Sequence, residues 1–282
     1  MKNMNIFILD IVRALCIVWI VVVWHGNDYL PIYYHWSSVV VPGIVTQVVL
    51  LLFTLLSGML LSKYIFSTKD DVWNFYNRRF GRFYILFIIA VILFYLCGFY
   101  TFKTSIKCII GISMFVGQAP FTLWYISMLM VFYILTPILR YKFKMTWLRI
   151  ITPILIFVGI VMLRVIHVTT DNNLIRFFIS YELGLLIGEK VTSWLRDHDW
   201  NASALIRFFI EKIAYASFCM YLYHRVIYYA IGRITGYAEG IIVFCMPIWC
   251  NIVAIISVLV ISYFIQYYYD RLLRNVNVNQ MI

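Results

Sequence analysis

The sequence predicts an all-α membrane protein, a polytopic bundle of about eight transmembrane helices (eight to ten) with both termini in the cytoplasm. Three observations carry that reading. Hydrophobic side chains make up 64% of the 282 residues and charged ones only 12%, whereas a soluble domain carries about a quarter charged residues. The mean hydropathy is +0.90. The apolar residues also fall in long blocks, close to the roughly 20 residues that a helix needs to cross a bilayer. This composition excludes a disordered chain, a small disulfide scaffold and a water-soluble enzyme.

Spans are expected near 5–25, 43–62, 83–101, 120–139, 150–168, 174–189, 213–231 and 241–268. The first contains Asp10 and Arg13 and runs into Trp24-His25-Gly26-Asn27-Asp28, which is not the small-residue cleavage site of a signal peptide. The apolar stretch at 108–116 is too short to cross and is expected in the interface, or dipping in and returning. The spans near 120–139, 150–168 and 241–268 hold Pro137, Pro153 and Pro247. No internal repeat or linker stands out, so one membrane-embedded domain is expected over 1–282.

Lys and Arg set the orientation. With the N-terminus inside, the inner side holds sixteen of them, chiefly around 63–82, 140–149 and 190–212, and the outer side holds three, Lys103, Lys107 and Arg233. The net charge of +11 therefore belongs to topology and does not point to nucleic acid. The six cysteines are scattered with no CxxC pair, so neither a zinc site nor a redox pair is suggested. His198 sits in an isolated Asp197-His198-Asp199 loop cluster, and no metal is expected there.

Ionisable residues at membrane depth are expensive and mark candidate sites. Here they are Asp10, Arg13, His25, Arg164, His167, Arg176, Glu182, His224 and Arg225. Asp10 and Arg13 share a helix face, either as a structural ion pair or as part of a site. Arg13 and His25 are separated by about 18 Å of helix rise and cannot grip the same atom. His25 has Asp28 three residues on, close enough to orient its imidazole. A neutral imidazole can take a proton from a hydroxyl; an interfacial histidine is the plainer alternative. No neighbouring residue of similar pKa is obviously placed to replace it.

Five segments together carry a family resemblance. Leu9-Asp10-Ile11-Val12-Arg13 leading to His25, Phe53-Thr54-Leu55-Leu56-Ser57-Gly58, Arg79-Phe80-Gly81-Arg82, Leu123-Trp124-Tyr125-Ile126 and Ser217-Phe218-Cys219-Met220-Tyr221-Leu222-Tyr223-His224 resemble, in order, motifs of the acyltransferase-3 family of membrane O-acyltransferases. Two features depart from it. The family usually places ten residues between Arg and His, and here there are eleven, Ala14 to Trp24. Ten leave the side chains about 20° apart around a straight helix and eleven about 120°; one π-bulge would restore the shared face. The family also commonly has more spans, and here a short polar loop is expected between Gly188 and Tyr215.

The resemblance implies transfer of an acyl group, usually acetyl, from cytoplasmic acetyl-CoA to a hydroxyl of a sugar, glycan or other small acceptor. Acyl-CoA is then a substrate, and no permanently bound cofactor is implied. His25 and Arg13 would be catalytic. Arg79, Arg82 and Arg78 would meet the donor, since guanidinium groups fork phosphate oxygens; the same charges serve equally as a positive-inside signal. Asp10, Asp28, Glu182 and His224 are secondary candidates. Ser57 beside Gly58 reads first as close helix packing. The implied partners are acyl-CoA, a carbohydrate or lipid-linked glycan, and lipids of a bacterial inner membrane. A non-enzymatic carrier or flippase for a lipid-linked sugar, or a degenerate membrane subunit, fits the intramembrane charges as well.

Overall fold

A computed structural model of the chain describes residues 6–29, 40–116, 119–143, 145–166, 172–198, 202–239, 242–243 and 246–279. His167 lies outside the described residues. The helix α1 spans Phe7–Val18 and continues through a π-helical segment, Trp19–His25, into a 3₁₀ turn, Gly26–Tyr29. Then follow α2 (Val40–Leu61), α3 (Lys69–Leu96), α4 (Phe102–Ile109), α5 (Trp124–Leu139), α6 (Thr146–Val165), α7 (Asn173–Asp197) and α8 (Ala204–Ile234). A two-residue antiparallel hairpin, β1 (Ala238–Glu239) with β2 (Ile242–Val243), precedes α9 (Ile248–Asn279).

The chain is a helical membrane protein. Among the described residues five helices are long and apolar enough to cross a bilayer: Phe7–Tyr29, Val41–Leu61, Lys69–Leu96, Trp147–Val165 and Ile248–Asn275. The apolar segment Trp124–Leu139 is shorter. The helices α7 (25 residues) and α8 (31 residues) are long enough but carry charges along their length, including Arg176, Glu182, Glu189, Lys212, His224 and Arg225, which lower their mean hydropathy.

Three boundaries differ from the expected ones. Thr68 closes a capping box with Asp71, which satisfies orphan N–H groups at both positions. The helix α3 therefore starts at Lys69, well before the hydropathy boundary near 83, and Arg78, Arg79 and Arg82 lie on a helix rather than in a loop. The expected loop from Gly188 to Tyr215 is mostly helical too, since α7 runs to Asp197 and α8 begins at Ala204. The last helix begins at Ile248, just after Pro247, later than the expected start near 241, because Ile242–Val243 pair with Ala238–Glu239.

Two compact units result. The first comprises residues 1–50 and 195–282. In it α1 and α9 both pack on α8, and Phe7, Ile17, Ile20, Val21, Cys219, Met220, Leu222, Tyr228, Ala254 and Val258 are buried. The guanidinium of Arg207 covers the Phe7 ring at 4.6 Å, a cation–π contact. Trp19 donates its indole N–H to Thr46 Oγ1 at 3.0 Å.

The second unit comprises residues 51–194. There Gly58 of α2 meets Gly184 of α7: a Cβ on Gly58 would run into the Tyr181 carbonyl oxygen, and one on Gly184 into that of Leu55. Small residues let helix backbones touch in this way, so the packing role expected at Gly58 is found. Buried hydroxyls pair across helices, Thr54 with Tyr125 at 3.0 Å and Thr136 with Tyr181 at 2.6 Å. Along α6 the side chains of Ile150, Ile154, Leu155, Val158 and Met162 stay exposed. Such a face suits hydrocarbon, not water.

Candidate active site

The site in the first unit is built where α1 loses its regular geometry. The Gly26 N–H bonds to the Val21 carbonyl, an i→i+5 step. The segment Trp19–His25 thus absorbs the eleventh residue between Arg13 and His25. Counted along the helix, one absorbed residue turns His25 back by about 100° toward the Arg13 face. π-Segments are uncommon in α-helices and frequent at functional sites.

Gly26 then permits a close approach. A Cβ there would lie 2.9 Å from Tyr228 Oη and 3.3 Å from the Val21 carbonyl oxygen. Its own carbonyl accepts from Asn251 Nδ2 of α9 at 2.9 Å, and the Tyr29 carbonyl accepts from the Met246 N–H at 2.7 Å. The turn carrying Asp28 is therefore tied to α8 and α9. The rings of Tyr29 and Tyr228 stack at 4.5 Å.

Arg225 organises the charges. One of its terminal nitrogens, Nη2, lies 2.6 Å from His25 Nδ1 and 2.9 Å from Asp28 Oδ2. The other, Nη1, donates to Tyr29 Oη at 3.3 Å. Asp28 Oδ2 is 3.4 Å from His25 Nδ1, beyond the usual 2.7–3.2 Å range of an N–H···O bond. The guanidinium cation and the Asp28 carboxylate offset one another within the membrane-spanning part of the chain. Beside them the His224 imidazole, fully buried, stacks on His25 with ring centroids 4.9 Å apart. Its Nδ1 sits 2.8 Å from the Tyr221 carbonyl oxygen and 3.1 Å from that of Met220.

Of the residues singled out in the sequence, the structure brings His25, Asp28, His224 and Arg225 together. Asp10 and Arg13 form their own ion pair at 3.3 Å, one turn apart on α1. In the second unit Arg79 donates to Tyr133 Oη at 2.8 Å, with its guanidinium over that ring at 4.5 Å. Arg78 and Arg82 are exposed. Glu182, also in that unit, is partly buried, and its Oε2 has no hydrogen-bond partner among the described residues.

Two points were beyond the sequence. Arg225 was visible only as a charge at membrane depth, with nothing to name its partners. The expectation that no residue like His25 stands near it is overturned by His224. The signal available was the pair of adjacent ionisable residues, His224-Arg225, in an apolar span; Tyr228 and Asn251 gave none.

Residues 6–210 match the model of the acyltransferase-3 family, described as an acyltransferase domain. The chain belongs to that family. No curated protein and no solved structure matches it.

Proposed function

We propose that the protein is an integral membrane O-acyltransferase that moves an acyl group, acetyl by default, from cytoplasmic acyl-CoA to a hydroxyl of a sugar, glycan or other small acceptor. Membership of an acyltransferase family makes the class. The single observation that carries the site is the cluster of His25, Asp28 and Arg225 at the end of a π-distorted first span. An imidazole held by a charged partner at fixed geometry is what proton transfer at an acyl centre needs.

In the reaction the acceptor oxygen attacks the thioester carbonyl, its proton passes to an imidazole, and the C–S bond breaks. The thiolate leaves with that proton as the free thiol. His25 stands at the reacting atoms, with Arg13 as the second family residue on its helix. Arg79, Arg82 and Arg78 meet the phosphates of the donor; their place on the first half of α3 arrays them along one rigid element. The chain is taken to act as a single functional domain of eight crossings with both termini cytoplasmic, in a bacterial inner membrane. The basic split of sixteen to three supports that orientation.

The carrier reading draws on the same intramembrane charges. The test is free thiol released from acetyl-CoA by the purified protein. An acyltransferase releases thiol and a carrier does not.

A further inference from the structure

The hydrogen bonds fix where the protons sit on the two stacked imidazoles. Backbone carbonyls only accept, so His224 Nδ1, between the Tyr221 and Met220 carbonyls at 2.8 and 3.1 Å, carries N–H. A neutral imidazole has one N–H and one lone pair. The lone pair of His224 is therefore on Nε2, and that atom is buried without a hydrogen-bond partner among the described residues. His25 is the opposite case. A guanidinium has donors only, so with Arg225 Nη2 at 2.6 Å the His25 Nδ1 carries the lone pair and Nε2 carries the proton. The second N–H of that guanidinium nitrogen serves Asp28 at 2.9 Å. The stacked pair thus carries one Nε2 donor, on His25, and one Nε2 acceptor, on His224, with ring centres 4.9 Å apart.

The geometry points to a division of labour in which His224 Nε2 accepts the proton of the attacking hydroxyl while His25 Nε2–H donates to the acyl carbonyl oxygen. This rests on the acyl-transfer reading above. The acceptor O–H breaks as its oxygen bonds to the thioester carbon, and the proton goes to His224 Nε2. Charge building on the carbonyl oxygen is met by the His25 N–H, a preorganised donor of the kind that stabilises tetrahedral intermediates. When the carbonyl re-forms, the C–S bond breaks and the thiolate takes the proton from His224, leaving ester, free thiol and both imidazoles as they began. His224 was a secondary candidate in the sequence; this gives it the base role that the sequence offered to His25. Arg225 is a positioning residue. By occupying His25 Nδ1 it holds the tautomer that donates from Nε2.

An alternative for the unpartnered nitrogen is a buried structural water, since orphan polar atoms commonly hold one. Full-length protein labelled with ¹⁵N-histidine, in lipid nanodiscs, separates these by solid-state NMR, because protonated and bare ring nitrogens resonate far apart. Single His→Gln variants assign the signals. The expected result is opposite tautomers, Nε2–H for His25 and Nδ1–H for His224, and a switch of His25 to Nδ1–H in Arg225→Met as Asp28 takes over that nitrogen. Thiol release from acetyl-CoA, with water as acceptor, supplies the second readout. His224→Asn keeps a donor toward the Tyr221 carbonyl and removes the Nε2 lone pair, so a fall of roughly 10²–10⁴-fold is expected with the wild-type elution profile and melting temperature retained. Matching tautomers, or His224→Asn as active as wild type, would overturn the proposal and leave acyl transfer standing. Wild-type protein that releases no thiol overturns the acyl-transfer reading itself, and the base role with it.

Discussion

Removing the Arg225 side chain should reveal how much of the first unit depends on one ion pair. Arg225 is only 9% exposed, and Asp28, at 29% side-chain exposure, keeps limited access to solvent. Arg225→Met preserves length and apolar packing but leaves the carboxylate without its 2.9 Å partner. Breaking a buried pair from one side costs about 3–5 kcal/mol, and the partial exposure of Asp28 places the expectation near the lower end. Asp28→Asn alone leaves the guanidinium its contacts with His25 and Tyr29, so about 1–3 kcal/mol is expected. In the double variant neither charge is stranded, and the coupling between the two sites should be about 1.5–3 kcal/mol. The assay is reversible unfolding in mixed micelles for wild type, both single variants and the double. Additive losses, with coupling below about 0.5 kcal/mol, would refute the claim that this pair organises the site.

Other expectations concern packing, donor binding and topology. Gly58→Ala and Gly184→Ala should each lower the melting temperature through a loss of about 1–3 kcal/mol or more of stability to overpacking, whereas Gly159→Ala, whose Cβ would meet nothing within 4 Å, should be neutral or gain up to about 1 kcal/mol; equal effects at all three would contradict the close α2–α7 approach. Arg79→Ala and Arg82→Ala should each weaken acetyl-CoA binding, measured by calorimetry, by roughly 1.5–3 kcal/mol, and unchanged affinity in both would return these residues to a topological role. Cysteine labelling should find Asp171→Cys accessible from outside and Lys144→Cys from inside, two positions outside the described residues; the reverse at either would overturn the orientation.

How far the sequence foretold the site depends on whether the signal was local. The count between Arg13 and His25 is local, and a mismatch of one residue was enough to foresee the i→i+5 step that the Gly26 N–H makes to Val21. Gly58 beside Ser57 was legible because small residues on apolar helices have few other uses. The start of α3 is marked in the sequence by the Thr68–Asp71 capping box, a signal that hydropathy ignores because it sits among charges. The stacking of His224 on His25 was out of reach. It depends on how α8 packs against α1, and periodicity within each helix does not specify which partner it meets. Arg225 illustrates the same limit, with its bond to His25 spanning 200 residues. Asn251 carries no signal in the sequence, and only the fold shows its amide supporting the Gly26 carbonyl.

The central claim is that this chain transfers acyl groups and that His25 stands at the reacting atoms. It is tested most directly by the rate of free thiol release from acetyl-CoA by nanodisc-reconstituted protein, wild type beside His25→Ala, each checked for intact folding. The account predicts steady release by wild type and a fall of roughly 10²–10⁴-fold in the variant. Equal rates in the two proteins, or no release from either, would contradict it.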